Sequence, residues 1–215
     1  VISGAGISAE SGIQTFRGSD GLWRNYNVED VATYTAWERN PALVQEFYNQ
    51  RRRAVLKAVP NTAHLAITEL QDFYDVRVIT QNIDYLHEMA GNKNVLHLHG
   101  DIRYCKSSNP DLTLAGMSDS IHEEYWLVEG DLVYPDDKAP DGYPMRPHVV
   151  WFGEPVPAIV DAAGILETAD VVIVVGTSMN VYPAASLIDK APTDAVVYCI
   201  NPEGSDYFFK QQVKY

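Results

Sequence analysis

Val1-Ile2-Ser3-Gly4-Ala5-Gly6-Ile7-Ser8-Ala9 is the stretch on which the fold turns. Gly4 to Ala9 has the G-x-G-x-x-A spacing that joins a strand to a helix in dinucleotide-binding sheets. Glycine permits the tight turn and lets a pyrophosphate approach the backbone at a helix N-terminus. A plain strand-to-helix turn fits the same nine letters, so the rest of the chain has to decide. Val1-Ile2 reads as the tail of a strand whose beginning is missing, and with no initiator Met the chain reads as trimmed at both ends.

Outward from this loop, further β-branched runs follow at Val76 to Thr80, Val171 to Val175 and Ala195 to Ile200, with a shorter one at Val95 to Leu98. The Val171 run is apolar throughout, as expected of a strand covered on both faces. Helical patterns fall between them at Pro41 to Ala58, Asn61 to Phe73, Pro157 to Thr168 and Pro183 to Ala191. Strands alternating with helices predict an α/β fold: a Rossmann-like, mostly parallel sheet with helices on both faces. Polar clusters directly follow the strand runs, at Ser3-Gly4-Ala5-Gly6, Gln81-Asn82-Ile83-Asp84, His99-Gly100, Gly176-Thr177-Ser178 and Asn201-Pro202-Glu203. Ligands of such sheets bind at the carboxyl ends of strands, so these clusters point to a shared crevice. Two stretches break the rhythm. Residues 18–60 read as a helical insertion and 103–147 as a small second module, leaving 1–17, 61–102 and 148–215 as a discontinuous sheet domain.

The 215 residues carry 16 basic and 29 acidic side chains, a net charge of −13. Such a surface repels phosphate backbones, which argues against nucleic acid and favours a basic peptide. No apolar run approaches the roughly 20 residues needed to span a bilayer. Two cysteines cannot form a disulfide framework, and with no signal peptide the expectation is a bacterial, cytoplasmic and monomeric protein.

Three clusters carry chemistry. Gln81-Asn82-Ile83-Asp84 offers amides and a carboxylate suited to a ribose, a water or a carboxamide, although Asn82 or Asp84 also fits a helix cap. His97-Leu98-His99-Gly100 puts two imidazoles on one side of a strand, with His99 at its end as the general base and His97 as a packed core residue. Phe16-Arg17-Gly18 beside the glycine loop suggests a mobile cover or a surface loop.

In order, Gly4-Ala5-Gly6-Ile7-Ser8, Phe16-Arg17-Gly18, Thr80-Gln81-Asn82-Ile83-Asp84, His97-Leu98-His99-Gly100, Pro147-His148-Val149-Val150-Trp151-Phe152-Gly153-Glu154 and Gly176-Thr177-Ser178 resemble the sirtuin family of NAD-dependent protein lysine deacylases. The resemblance implies a Rossmann-like NAD domain with a smaller module made from two insertions. It implies that Gly4, Ala5, Gly6 and Arg17 hold the pyrophosphate side of NAD, and that Phe16 shields the reacting sugar carbon. Gln81, Asn82, Ile83 and Asp84 would serve the ribose, a water and the nicotinamide, while Gly176, Thr177, Ser178, Asn201 and Glu203 would line the adenosine side. Asn82 and His99 would be catalytic, His99 as the base. Val150, Phe152, Gly153 and Glu154 would border the acyl-lysine tunnel. The products would be free lysine, nicotinamide and O-acyl-ADP-ribose.

Two departures stand out. Most sirtuins hold a structural zinc with two Cys-x-x-Cys pairs, whereas residues 103–147 contain only Cys105. Asp119, His122 and Glu123 match no zinc spacing, so no metal is expected and the module is held by packing of Tyr104, Tyr125, Trp126, Leu127, Tyr134 and Tyr143. Helical spacing also puts Val44, Tyr48, Arg51 and Val55 on one face, and a cation in an apolar stripe needs a partner. Tyr48-x-x-Arg51 resembles the pair with which some sirtuins bind the distal carboxylate of succinyl, malonyl or glutaryl lysine, while a solvated Arg51-Arg52-Arg53 run is the plainer reading. Thr15 agrees with the former, because many deacetylase-type members carry Asp there. A glycohydrolase or ADP-ribosyltransferase, a non-catalytic NAD sensor and a dehydrogenase are the competing functions.

Overall fold

Val171–Val175, apolar at every position, is an interior strand of a five-stranded parallel sheet. The structure is a computed structural model that describes residues 1–15, 22–23, 26–114, 125–179 and 182–201. Phe16, Arg17 and Glu203 lie outside these residues, as do Asp119, His122 and Glu123. The chain divides into two units, one of Val1–Thr15, Ala58–Leu98 and Ala158–Tyr215, the other of Phe16–Lys57 and His99–Pro157.

In the first unit the strands lie side by side in the order Val196–Ile200, Val171–Val175, Ile2–Ser3, Val78–Thr80, Val95–His97, every pairing parallel. The chain starts in the middle, walks to one edge, then returns to build the other side. The direction of travel therefore reverses between Ile2–Ser3 and Val171–Val175, the point at which such sheets bind their ligands. Register sorts the side chains: Ile2 stands opposite Ile79 and Val174, and all three are wholly buried on one face. On the other face Val78 and Val175 pack with Ile7 and with Ile67 of the Thr62–Leu70 helix. That helix starts with a reciprocal cap, in which the Asn61 side chain accepts from the Ala63 N–H and His64 Nδ1 accepts from the Asn61 N–H.

Two helices differ from expectation. The glycine loop leads into a single 3₁₀ turn, Ala5–Ser8, in which the Ile7 N–H donates to Gly4 O and the Ala9 N–H to Gly6 O, while the Gly6 N–H, without an acceptor inside the turn, donates to Gly176 O. The Pro183 segment is likewise a 3₁₀ helix, Ala184–Lys190, which packs against the Ile159–Leu166 helix.

The second unit joins the helices Val28–Val31, Tyr34–Arg39 and Pro41–Lys57 to a three-stranded antiparallel sheet in the order Tyr125–Leu127, Gly100–Ser107, Met145–Val149. The weak periodicity of residues 103–147 concealed this sheet. Its packing also differs from expectation: Tyr125, Leu127, Tyr134 and Tyr143 are exposed, and the buried residues are Ile102, Cys105, Val133, Ala139 and Val149. Cys105 Sγ sits against Trp126 O and Met145 Sδ, and burial raises its thiol pKa. Among the described residues no helix is long and apolar enough to cross a membrane.

Candidate active site

At the switch point of the first unit, two loops interlock through glycine. Gly176 has φ +62°, and a Cβ on it would lie 2.2 Å from Ile7 N. A Cβ on Gly6 would lie 2.8 Å from Gly176 Cα, and the Gly6 N–H donates to Gly176 O at 2.8 Å. Side chains were excluded here by backbone contact as much as by any ligand. Gly6 itself is exposed, so bare backbone faces solvent at the loop tip.

Beyond the strand ends the side chains form two chains of hydrogen bonds. Gln81 Nε2 donates to Thr177 Oγ1 at 3.1 Å, and Asn201 Nδ2 donates to Thr177 O at 3.3 Å. Asn82 Nδ2 donates to Ser8 Oγ at 3.1 Å, and Ser8 Oγ donates to Asp84 Oδ2 at 3.0 Å. Asp84 Oδ1 accepts from the N–H of Leu86, which opens the Leu86–Met89 helix, but the N-cap of that helix is Tyr85, so neither Asn82 nor Asp84 is its capping residue. Burial raises the Asp84 pKa, while the bonds from Leu86 and Ser8 pull the other way. Ser8 therefore links Asn82 to Asp84, a role that sequence reasoning did not assign. Its signal was a small hydroxyl two residues past the second glycine. In the same loops Ile83 is half-buried and Ser178 is exposed. Glycine-lined backbone, hydroxyls, amides and one carboxyl make a donor set that fits a diphosphate, ribose hydroxyls and a carboxamide.

The histidines depart from expectation. His97 ends its strand, but His99 lies in the turn that follows, so the two imidazoles are not on one side of a strand. His97 is not merely packed: Nδ1 faces Asn82 O at 2.9 Å, and Nε2 faces Glu88 Oε1 at 2.9 Å. A carbonyl only accepts, so Nδ1 carries a hydrogen and ties the Asn82 backbone to the last strand residue. His64 and His87 pair edge to face at 5.0 Å, and both are buried. Desolvation lowers His64 to about 4 and His87 to about 3, with the His64 charge adding to the latter.

In the second unit His99 is half-buried, and its carbonyl accepts from the Val150 N–H at 3.0 Å. Gly100, at φ +82°, could not carry a Cβ, which would lie 2.2 Å from His148 O. The segment after Val150 is held at Phe152, whose N–H donates to Ala32 O and whose ring is 49% exposed, and Gly153 turns at φ +87°. Glu154 is tied up internally. Its carboxylate accepts from Arg146 at 2.6 and 2.9 Å and from the Trp151 N–H at 2.7 Å. Sequence reasoning assigned nothing to Arg146 or Trp151.

The Pro41–Lys57 helix buries Val44, Tyr48 and Val55 as expected, but the fully buried cation is Arg52 and not Arg51. Arg52 donates to Ile102 O and Asn49 Oδ1, while Arg53 pairs with Asp131 at 2.6 Å. The arginine run is thus not a solvated run. Arg51, half-buried, lies 5.7 Å from the Phe47 ring centroid. Tyr48 Oη accepts from Trp151 Nε1 at 3.0 Å, and burial pushes its pKa up to about 12 against the opposing pull of Arg51.

The reversed strand order, the interlocked glycines and the amide and hydroxyl set beyond the strand ends define a dinucleotide-binding α/β protein. The Sir2 family model matches residues 4–183. An NAD-dependent protein deacylase of Aggregatibacter actinomycetemcomitans is 47% identical over 209 residues, covering 97% of this chain and 94% of that protein. A mutant Sir2 homologue in complex with ADP-ribose has the same fold with a TM-score of 0.86 at 38% identity, over 99% of this chain and 83% of that one. A Sir2 homologue–NAD complex gives 0.81 at 39% identity, over 95% and 78%. The chain belongs to the Sir2 family.

Proposed function

We propose that the protein removes succinyl, malonyl and glutaryl groups from protein lysines in preference to acetyl, keeping some deacetylase activity and yielding nicotinamide and O-acyl-ADP-ribose. The class beneath that preference follows from the family: the protein is an NAD-dependent protein deacylase, and NAD is its cofactor. Bound NAD supplies the sugar carbon that takes the acyl oxygen as nicotinamide leaves. The chain's own residues do the rest. Gly4, Ala5 and Gly6, with Arg17, receive the diphosphate, and Gly176, Thr177, Ser178, Asn201 and Glu203 line the adenosine side. Asn82 orients the ribose, with Gln81, Ile83 and Asp84 beside the carboxamide and Phe16 shielding the reacting carbon. His99 accepts the ribose hydroxyl proton. Val150, Phe152, Gly153 and Glu154 border the acyl-lysine, and an apolar surround there excludes competing water. A discontinuous NAD-binding domain with two insertions, a cytoplasmic location and a monomer belong to the same proposal. The net charge of −13 supports a basic peptide over nucleic acid.

The observation that carries the acyl preference is the pair Tyr48 and Arg51, a turn apart on the Pro41–Lys57 helix, the phenol kept protonated by burial and the guanidinium close enough to act on it. A neutral O–H donor beside a guanidinium fork suits a carboxylate and offers nothing to a methyl group. Arg51→Met tests this with succinyl- and acetyl-lysine peptides of one sequence, product formation followed by mass spectrometry. The succinyl kcat/KM falls roughly 30-fold further than the acetyl value, the effect of losing a charge-assisted bond. Equal losses on both peptides refute the preference.

A further inference from the structure

We infer that Trp151, clamped by Arg146 and Glu154, is a positioning residue that sets acyl-group choice through Tyr48; this rests on the acidic-acyl reading above. An indole N–H only donates, so in the Trp151–Tyr48 contact at 3.0 Å the phenol oxygen is the acceptor. The phenol hydrogen is thereby aimed away from the indole, and among the described residues no side chain or carbonyl takes it. With the O–H held neutral by burial, Tyr48 is an oriented donor in want of an acceptor. A carboxylate oxygen, which only accepts when ionised, is the matching ligand.

The indole is held on two sides and its backbone on a third. The Arg146 guanidinium carbon lies 3.4 Å from the Trp151 ring centroid, and Arg146 is 0% exposed. The Trp151 backbone N–H donates to Glu154, which also grips Arg146 through both of its oxygens. The second hold on the ring is the Tyr48 hydroxyl itself. A loop that carries three of the proposed acyl-lysine contacts, Val150, Phe152 and Gly153, is thus tied through its one buried aromatic to the residue that reads the far end of the acyl group.

Trp151→Phe tests this in the full chain, since it deletes the ring N–H and keeps an aromatic face under Arg146. The readout is the ratio of succinyl to acetyl kcat/KM, measured in the wild type, in Trp151→Phe, in Tyr48→Phe and in the double variant. The ratio falls about fivefold in Trp151→Phe, the worth of one neutral hydrogen bond, and the change lies in the succinyl KM and not in kcat. In the Tyr48→Phe background the same substitution moves the ratio less than about twofold, because the indole then has no phenol to orient. An unchanged ratio in Trp151→Phe while Tyr48→Phe lowers it overturns the inference and leaves the acidic-acyl reading standing, as does an equal fall in both backgrounds. An unchanged ratio in Tyr48→Phe overturns the acidic-acyl reading and this inference with it. Should Trp151→Phe not fold, benzothienylalanine at position 151 replaces the N–H with sulfur at nearly constant shape, and the same outcomes decide.

Discussion

The two units solve the problem of buried polarity in opposite ways. Beyond the ends of the parallel strands, Asn82, Ser8 and Asp84 form one chain of short side chains and Gln81, Thr177 and Asn201 another, all bonded through hydroxyls, amides and a carboxyl. The second unit instead buries two guanidinium groups, Arg52 at 2% exposure and Arg146 at 0%. Short hydroxyl and amide groups cost less to desolvate than a guanidinium and can exchange partners with a ligand. A buried cation cannot exchange, because every bond it loses leaves charge in a medium that does not solvate it. The first design suits residues that must meet a dinucleotide; the second freezes the loop through Val150 to Glu154.

The contrast is broken most severely at Glu154. Glu154→Ala leaves Arg146 with only the Val149 carbonyl and strips the Trp151 N–H, and it lowers unfolding free energy by about 4 kcal/mol in urea titrations at pH 7.5. A loss under about 1 kcal/mol would mean that the guanidinium is not the organising charge of the second unit.

Acid probes the first unit next. His64 and His87 sit at about 4 and about 3 in the fold, against about 6.5 when unfolded. The unfolded chain binds more protons below pH 6.5, so stability is complete above that value and declines as pH falls toward 4. Between pH 7.5 and 5.5 the two imidazoles together remove about 3 kcal/mol. His64→Gln flattens the slope by about 1.2 kcal/mol per pH unit between pH 6 and 5. A slope unaffected by that substitution would assign the acid sensitivity to other groups.

Ser8→Ala has the smallest effect and the most diagnostic one. It removes the hydroxyl between Asn82 and Asp84, lowering stability by about 1.5 kcal/mol and raising the KM for NAD. The measurements are urea unfolding and initial rates against NAD concentration. A stability loss as large as that of Glu154→Ala would erase the distinction between an exchangeable network of short side chains and one frozen around a buried guanidinium.

The parallel sheet was legible because its evidence is local. The Val171–Val175 strand matches its apolar run residue for residue, and the Asn61 cap lies where Asn61-Thr62-Ala63-His64 put it. Residues 103–147 were not legible as a sheet, since a strand packed on one face and partly wetted on the other leaves Tyr125 and Leu127 exposed where size alone predicted core. Ser8 was visible in the motif yet had no role until Asn82 and Asp84 came within reach of it.

The order of apolar runs, the glycine spacing and the polar residues after each strand determined, from the sequence alone, a dinucleotide-binding sheet and the family to which it belongs, because backbone sterics and strand burial act between near neighbours. Only the tertiary structure decided which arginine of the Arg51-Arg52-Arg53 run is buried, that Arg146 lies against Trp151, and that Trp151 holds the Tyr48 hydroxyl. Burying a cation is tolerable only where acceptors converge on it. For Arg52 these are Ile102 O and Asp131 O, supplied from 50 and 79 residues away, a distance over which no local pattern carries information.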